Sequence, residues 1–392
     1  MPTHTIKNQI CSRCVMDTSV PDIIFDNSGE CNYCKVHDAL DQDNPNDERG
    51  KENLERIVSE IKRKSRNREY DVLVGVSGGT DSTYLLHLSK ELGLRPLAVH
   101  LDNGWNSEIS VSNLKNCLDV LKIDLKTYVI NWNEIRDILK SFILARLPWA
   151  DGPTDIAITS ILYKTAAQYN IKYIFAGNNF RTEGKQPDLW SHVDSKTIIA
   201  VQKQFGTLPL KTFPNLSPFG LVWYGMVKGI KMVRPFYFMK YNKTESKKLI
   251  TEKYHWKDYG GHHHENVFTR FIIGFWLVRK FGIDKRKVTY SALVRSSELT
   301  RTEAIEMLSK PPYEEDRMQS DKEYVCKKLG FTIKEFDDIV VGENKSVLDY
   351  PSYFPLYLRF KRLATSIFKY ILPFRPMMTY DISSSKKQNL KH

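Results

Sequence analysis

Three groups of residues carry chemistry by their type and spacing. The first lies in "CSRCVMDTSVPDIIFDNSGECNYC". Cys11 and Cys14 form one CxxC, Cys31 and Cys34 a second, with 16 residues between the pairs. Each tight turn can offer two thiolates to one cation, and "IIFDNSGEC" reads as a strand and turn that bring the second pair back to the first. The expected product is a four-thiolate zinc ribbon. Four protein ligands leave no position for a substrate, so the zinc is structural, and it supplies the folding energy that so short a segment lacks.

The second group is "DVLVGVSGGTDS", where an apolar run ends in Ser77-Gly78-Gly79 and a helix-like stretch follows. Two glycines allow close backbone approach. Their N–H groups, with those opening the following helix, form a nest for an anion. Ser77 and Ser82 add hydroxyls. The G-x-x-x-x-G-K-[ST] lysine is missing. Asp81 brings a carboxylate to the same place, and a carboxylate beside phosphates implies a divalent cation, Mg²⁺.

The third group is "DYGGHHHEN". Three consecutive histidines cannot all face one point, which argues against a three-histidine metal site. One or two, His263 and His264 foremost, can relay protons, and Glu265 can orient a histidine or bind a nucleophile. From the residues alone, an exposed loop is an equal reading.

These groups need elements to hold them. "YDVLVGVS", "RPLAVHLD", "KTYVIN" and "KYIFAG" read as strands, separated by helical stretches at 82–92, 107–121, 132–147 and 155–169. That alternation predicts an α/β fold, a doubly wound parallel sheet with helices on both faces. Ligands then meet the carboxyl ends of the strands, at 77–82, 102–106 and 177–184. "DQDNPNDERGKEN" reads as a linker before a basic amphipathic helix at 54–66. The pattern loosens from 181 to 234 and becomes helical at 241–254, 267–281 and 301–308. The expected units are a zinc-ribbon module at 1–45, the sheet domain at 50–235, a helical substrate or partner region at 236–350 and a basic amphipathic tail at 351–392. The aromatics of "PWADGPTD" and "LVWYGMVKG" are expected mainly in the core, with a sugar pocket as the other reading. Cys117 and Cys326 are expected as inert buried thiols.

The chain has 392 residues, 41% hydrophobic and 27% charged, as a soluble globular protein would. Its formal net charge of +12 suits an anionic substrate or partner. From Tyr353 to His392 there are eight Lys or Arg and one acid. Such a tail suits a membrane surface or an acidic partner better than a nucleic-acid groove, so no nucleic acid is expected. No secretory signal opens the chain and no apolar run approaches the roughly 18 residues of a membrane span, so a cytoplasmic location is expected. Six cysteines are too few for a disulfide scaffold.

Ser77-Gly78-Gly79-Thr80-Asp81-Ser82 resembles the SGGxDS signature of the PP-loop ATP pyrophosphatases, among them GMP, asparagine and NAD synthetases and tRNA-modifying enzymes. The resemblance implies that the loop holds the β- and γ-phosphates of ATP as leaving pyrophosphate while the α-phosphate goes to a substrate oxygen. The stretches "CSRCVMDTSVPDIIFDNSGECNYC", "SGGTDSTYLLHL", "HLDNGWNS", "DYGGHHHEN" and "KPPYEED" further resemble the N-acetyl sugar amidotransferases of O-antigen and nonulosonic acid biosynthesis. This implies conversion of an acetamido group on a nucleotide-activated sugar to an acetamidino group, with ammonia displacing AMP. It favours a functional reading of His263, His264 and Glu265. It sets Asp102 and Asn103 beside the nucleotide, although Asn-Gly is also a common surface turn. Gly177 and the loop after it belong with ATP. There the thiolating relatives carry G-H-x-x-D-D, whereas here Asn178, Asn179 and Arg181-Thr182 follow. Arg181 is then a candidate for a phosphate or for the adenylate charge, with Glu183 the nearest carboxylate.

No glutaminase nucleophile is found: residue 2 is Pro, and Cys117 falls inside a predicted helix. A separate glutaminase and cyclase-like pair is therefore expected to supply ammonia. A tRNA 2-thiolase is the competing enzyme, and an ATP-binding scaffold on a membrane the competing non-enzyme. The tail is expected either to lie on a membrane or to pack on the helical region.

Overall fold

The computed structural model describes residues 9–261 and 264–360. Helices α1 (Asn32–Asp43) and α2 (Glu48–Lys64) precede the sheet. Then β1 (Val72–Gly75), α3 (Thr80–Glu91), β2 (Pro96–Asp102), α4 (Glu108–Leu121), β3 (Leu125–Val129), α5 (Trp132–Leu144), α6 (Gly152–Gln168) and β4 (Tyr173–Phe175) alternate. Helices α7 (Phe180–Glu183), α8 (Asp188–Ser191), α9 (Ser195–Phe205) and α10 (Pro218–Met226) lead to β5 (Lys231–Val233). The rest is helical: α11 (Lys243–Tyr254), α12 (Val267–Phe271), α13 (Leu277–Phe281), α14 (Arg286–Arg295), α15 (Arg301–Ser309), α16 (Glu315–Leu329) and α17 (Ile333–Val341).

All five strands are parallel, in the order β3-β2-β1-β4-β5. Alternate residues of β1 serve opposite faces, as a pleated strand requires. Val72 and Val74 pack with Leu85 and Leu86 of α3, Leu114 of α4 and Ile250 of α11. Leu73 joins Ile161 and Leu162 of α6 on the other face. β1 and β4 are neighbours, and the order reverses between them, which opens a crevice at their carboxyl ends. The expected α/β doubly wound fold is present, with β5 as a fifth strand too short to read from sequence.

Three expectations change. The linker is mostly helix: Asp43 ends α1, Glu48 begins α2, and the Asp47 side chain caps α2 by accepting the Arg49 N–H. The expected boundary near 235 falls inside a packed cluster, since Phe236 and Tyr237 are buried with Val72, Val74 and Phe175. The expected helix over 267–281 contains a π turn at Ile272–Trp276 between α12 and α13. Tyr313 presses on Gly274 there, where an added Cβ would meet its ring at 2.8 Å. Among the described residues no helix is long and apolar enough to cross a membrane. The tail beyond 360 lies outside the described residues.

Candidate functional site

The SGGTDS loop runs from the carboxyl end of β1 into α3, whose first residue is Thr80. Gly78 has φ +80°, and a Cβ there would lie 2.1 Å from the Ser110 carbonyl oxygen, so only glycine fits. Three of the loop's amides meet oxygens of the protein. The Gly79 N–H donates to Ser77 Oγ, the Ser77 N–H to Ser82 Oγ, and the Thr80 N–H to the Tyr259 hydroxyl at 3.3 Å.

A roof covers the loop from the third motif and the residues before it. Trp256 Nε1 donates to the Gly78 carbonyl at 3.0 Å. Glu265 Oε1 lies 3.5 Å from Ser77 Oγ. The roof is pinned by a short antiparallel pairing between 105–107 and 265–267: the Ser107 N–H donates to the Glu265 carbonyl and the Val267 N–H to the Trp105 carbonyl, both at 2.9 Å. "HLDNGWNS" and "HHHEN", 163 residues apart at Asn103 and Asn266, are also joined by a side-chain hydrogen bond between those asparagines. Glu265 and His264 are therefore at the loop. His263 lies outside the described residues.

Asp81 departs from its expected role. Its Oδ1 accepts from the Tyr241 hydroxyl and its Oδ2 from Lys243 Nζ at 2.9 Å. Lys243 opens α11, held there by Asn242, whose side chain accepts the Glu245 N–H. Burial opposes the lysine's charge, but the Asp81 carboxylate outweighs burial and holds Lys243 above the ordinary lysine range. An ammonium now balances the carboxylate, so Asp81 by itself no longer implies a cation. With both oxygens engaged, the donor set does not fit a magnesium ion. The sequence reading missed Lys243 because it is one of several lysines in "KTESKK", at a distance no local pattern spans.

Arg181 also departs. Its side chain is buried, and its guanidinium donates to Asp41 Oδ1 and to the carbonyls of Asn44 and Tyr237. It ties α1 to the sheet domain and does not line the cavity beside the loop. Asp102 is a turn residue, its Oδ1 accepting the Gly104 N–H at 2.9 Å. Asn103 and Gly177 do line the cavity, and a Cβ on Gly177 would sit 3.4 Å from that of Asp81. His100, not anticipated, lines it too; its Nδ1 meets the Val76 carbonyl and its Nε2 meets Asn106.

The cavity has a volume of about 890 Å³. Ser77, His100, Asn103, Gly177, His264 and Glu265 line it, as do Trp149, Asp151, Asp155, Glu183, Lys285 and Lys310. The Lys285 ammonium sits 3.9 Å over the Trp149 ring, and Trp149 Nε1 donates to Asp155 Oδ2. Burial pushes the Lys285 amine down to about 8, against the pull of Asp155, Glu183 and Asp151. Trp149 is buried in the core and also lines the cavity, whereas in "LVWYGMVKG" Leu221 and Tyr224 pack part-buried on the core and none lines the cavity.

The four expected metal ligands converge. Sγ atoms of Cys11 and Cys34 are 3.8 Å apart, Cys14 and Cys31 3.7 Å, and Cys31 and Cys34 3.6 Å. A thiolate tetrahedron with metal–sulfur bonds of about 2.3 Å has edges near 3.8 Å, so the set fits zinc. Arg295 of α14 donates to Cys34 Sγ at 3.2 Å and Cys14 Sγ at 3.1 Å, and Arg301 to the carbonyls of Cys11 and Cys14. Two arginines from the C-terminal helices thus face the cluster. Cys117 and Cys326 are buried far from it, which pushes their thiols up to about 12 and about 11.

The sheet order and the loop entering a helix N-terminus give a doubly wound α/β fold with an anion nest at a strand end. Residues 265–364 match the family model of the LPS biosynthesis protein WbpG-like, C-terminal domain. That match spans 100 of the 392 residues and begins at the glutamate that touches the loop. No curated protein matches the chain. Among solved structures, NMN synthetase from Francisella tularensis is similar at 14% identity and TM-score 0.33, over 72% of this chain and 97% of that one. The U34-tRNA thiolase NcsA from Methanococcus maripaludis shares 13% identity over 86% of this chain and 90% of its own, at TM-score 0.30. The NH3-dependent NAD synthetase from Campylobacter jejuni shares 19% over 40% of this chain and 72% of its own, at TM-score 0.27. Those scores are too low for any of the three to bear on function.

Proposed function

We propose that the chain is an ATP-dependent amidotransferase for the acetamido group of a nucleotide-activated sugar, forming AMP and pyrophosphate in surface-polysaccharide biosynthesis. The observation that carries this reading is the cavity beside the SGGTDS loop, which Ser77 lines together with Glu265, the first residue of the WbpG-like match. At about 890 Å³ it has the size of a ligand pocket.

In the proposed reaction the amide oxygen attacks the α-phosphorus, the α–β bond breaks and pyrophosphate leaves. Ammonia then adds to the activated carbon, the C–O bond to AMP breaks, and a proton is lost to leave the amidine. The nest from Ser77 to Ser82 holds the departing pyrophosphate, and Lys243, fixed by Asp81, adds charge at that helix start. Glu265 and His264 take protons from the incoming nitrogen. An amidine product is cationic, and Asp151 and Asp155 line the cavity where it would form. Magnesium enters as the counter-ion of ATP, not through a carboxylate reserved for it. Cys11, Cys14, Cys31 and Cys34 would hold zinc, which supplies structure only.

No cysteine lines the cavity among the described residues, which leaves a thiolase reading without its sulfur carrier. We propose that ammonia comes from a separate glutaminase and cyclase-like pair. The test is incubation with ATP, Mg²⁺, ammonium salt and a panel of nucleotide-activated acetamido sugars. AMP, pyrophosphate and an O-to-NH mass change on one sugar are expected; ADP as the nucleotide product overturns the reading.

A further inference from the structure

Helix α10 begins well: Pro218 stands in its first turn and the Ser217 side chain accepts the Gly220 N–H. One side of it is anchored, with Leu221 and Tyr224 packed against the α6 face of the sheet. The other side is the anomaly. Phe219 is 65% exposed, Trp223 45%, Met226 61% and Val227 67%, at positions i, i+4, i+7 and i+8. They form one continuous apolar stripe in water, where singly scattered apolar residues would need no explanation.

Basic groups surround the stripe. Lys228 Nζ lies 5.0 Å from the Trp223 ring. Tyr353 is the junction: its ring meets Phe219 edge-on at 5.9 Å and carries the Lys196 ammonium at 5.6 Å. It also opens the segment of eight Lys or Arg and one acid. The Tyr353 N–H donates to Asp194 at 2.7 Å, which fixes where that segment starts. Beyond it Leu356, Leu358 and Phe360 are again about half exposed, at 47%, 51% and 46%.

We propose that α10 is a membrane-surface contact: Phe219, Trp223, Met226 and Val227 insert among the acyl chains of an anionic leaflet, while Lys196, Lys228 and Arg359 meet the headgroups. Tryptophan with flanking lysine suits the bilayer interface, which takes an apolar body and a charged rim together. A second protein surface would satisfy the apolar stripe but not the one-signed charge around it. The site is separate from the ATP loop and independent of the reaction assigned above.

The test uses the full chain with phosphatidylcholine vesicles, with and without phosphatidylglycerol, in a sedimentation assay. Binding only to the anionic vesicles is expected, with a blue shift of tryptophan emission and quenching by brominated acyl chains. The triple variant Phe219→Ser, Trp223→Ser, Met226→Ser should keep its circular dichroism and melting curve, because these side chains are exposed. It should bind about tenfold more weakly. The proposal fails if the intact chain does not bind, or if the triple variant binds equally well. It also fails if light scattering finds a dimer that the triple substitution dissolves without any vesicle binding.

Discussion

Lys243 reaches the carboxylate of Asp81 at 2.9 Å from a helix 162 residues further along the chain. The SGGTDS loop therefore has a lysine at its helix start, supplied from outside its own motif. Lys243→Ala is expected to lower the rate of AMP formation by about a hundredfold. Lys243→Arg should recover part of it, because the charge returns with a different reach. Unchanged AMP formation in Lys243→Ala would remove the lysine from the phosphate site.

Arg181 is predicted to act on stability and not on the reaction. Replacing it with alanine leaves the buried Asn44 and Tyr237 carbonyls without their donor and frees Asp41. The expected cost is about 2 kcal/mol in a denaturant titration. The KM for ATP should stay within about a factor of two, since the guanidinium faces away from the cavity. A large rise in KM with no loss of stability would return Arg181 to the site.

Metal removal should be felt in the C-terminal helices as well as in the first 45 residues. Arg295 donates to two sulfurs of the cluster and Arg301 to the carbonyls of Cys11 and Cys14, so loosening of the cysteine segment on metal loss disturbs both contacts. Chelation, or Cys31→Ser, is expected to lower the melting temperature by on the order of 5 °C. Hydrogen exchange in α14 should rise together with that in the cysteine segment. Exchange confined to the cysteine segment would contradict the coupling.

Lys285 gives a pH signature of two opposite slopes. Its amine is held at about 8 in the folded chain against 10.5 in the unfolded one. Between those values the unfolded chain binds more protons, so stability rises with pH across the window and the gain is absent below it. Any anion that needs the Lys285 charge is lost over the same range. Turnover should fall above about pH 8 as the melting temperature rises, and Lys285→Met should flatten both. Parallel slopes would mean that the lysine does not meet substrate.

The parts legible in the sequence are those written locally. The apolar runs of β1, β2, β3 and β4 gave the sheet, two CxxC pairs gave the cluster, and paired glycines gave the loop. Glu265 was legible as chemistry, though nothing in "GGHHHEN" says that it packs on Ser77. What stayed hidden depends on tertiary contact. Arg181 follows a strand in a loop, where a ligand would be expected; only the packing of α1 turns it away. Lys243 hides among ordinary helix-surface lysines. β5 is three residues long, and the stripe on α10 reads as core because periodicity reports an apolar face and not what covers it.

The pairing of 105–107 with 265–267 governs how this chain can be cut. Strand topology invites a cut after β5, which would give a complete five-stranded sheet and a helical remainder. Such a cut would leave the Gly78 carbonyl without Trp256, the Thr80 amide without Tyr259 and Asp81 without Lys243. A chimera that took its sheet from one parent and its helices from another would have to match at each of those three contacts. The loop and its roof form one heritable unit.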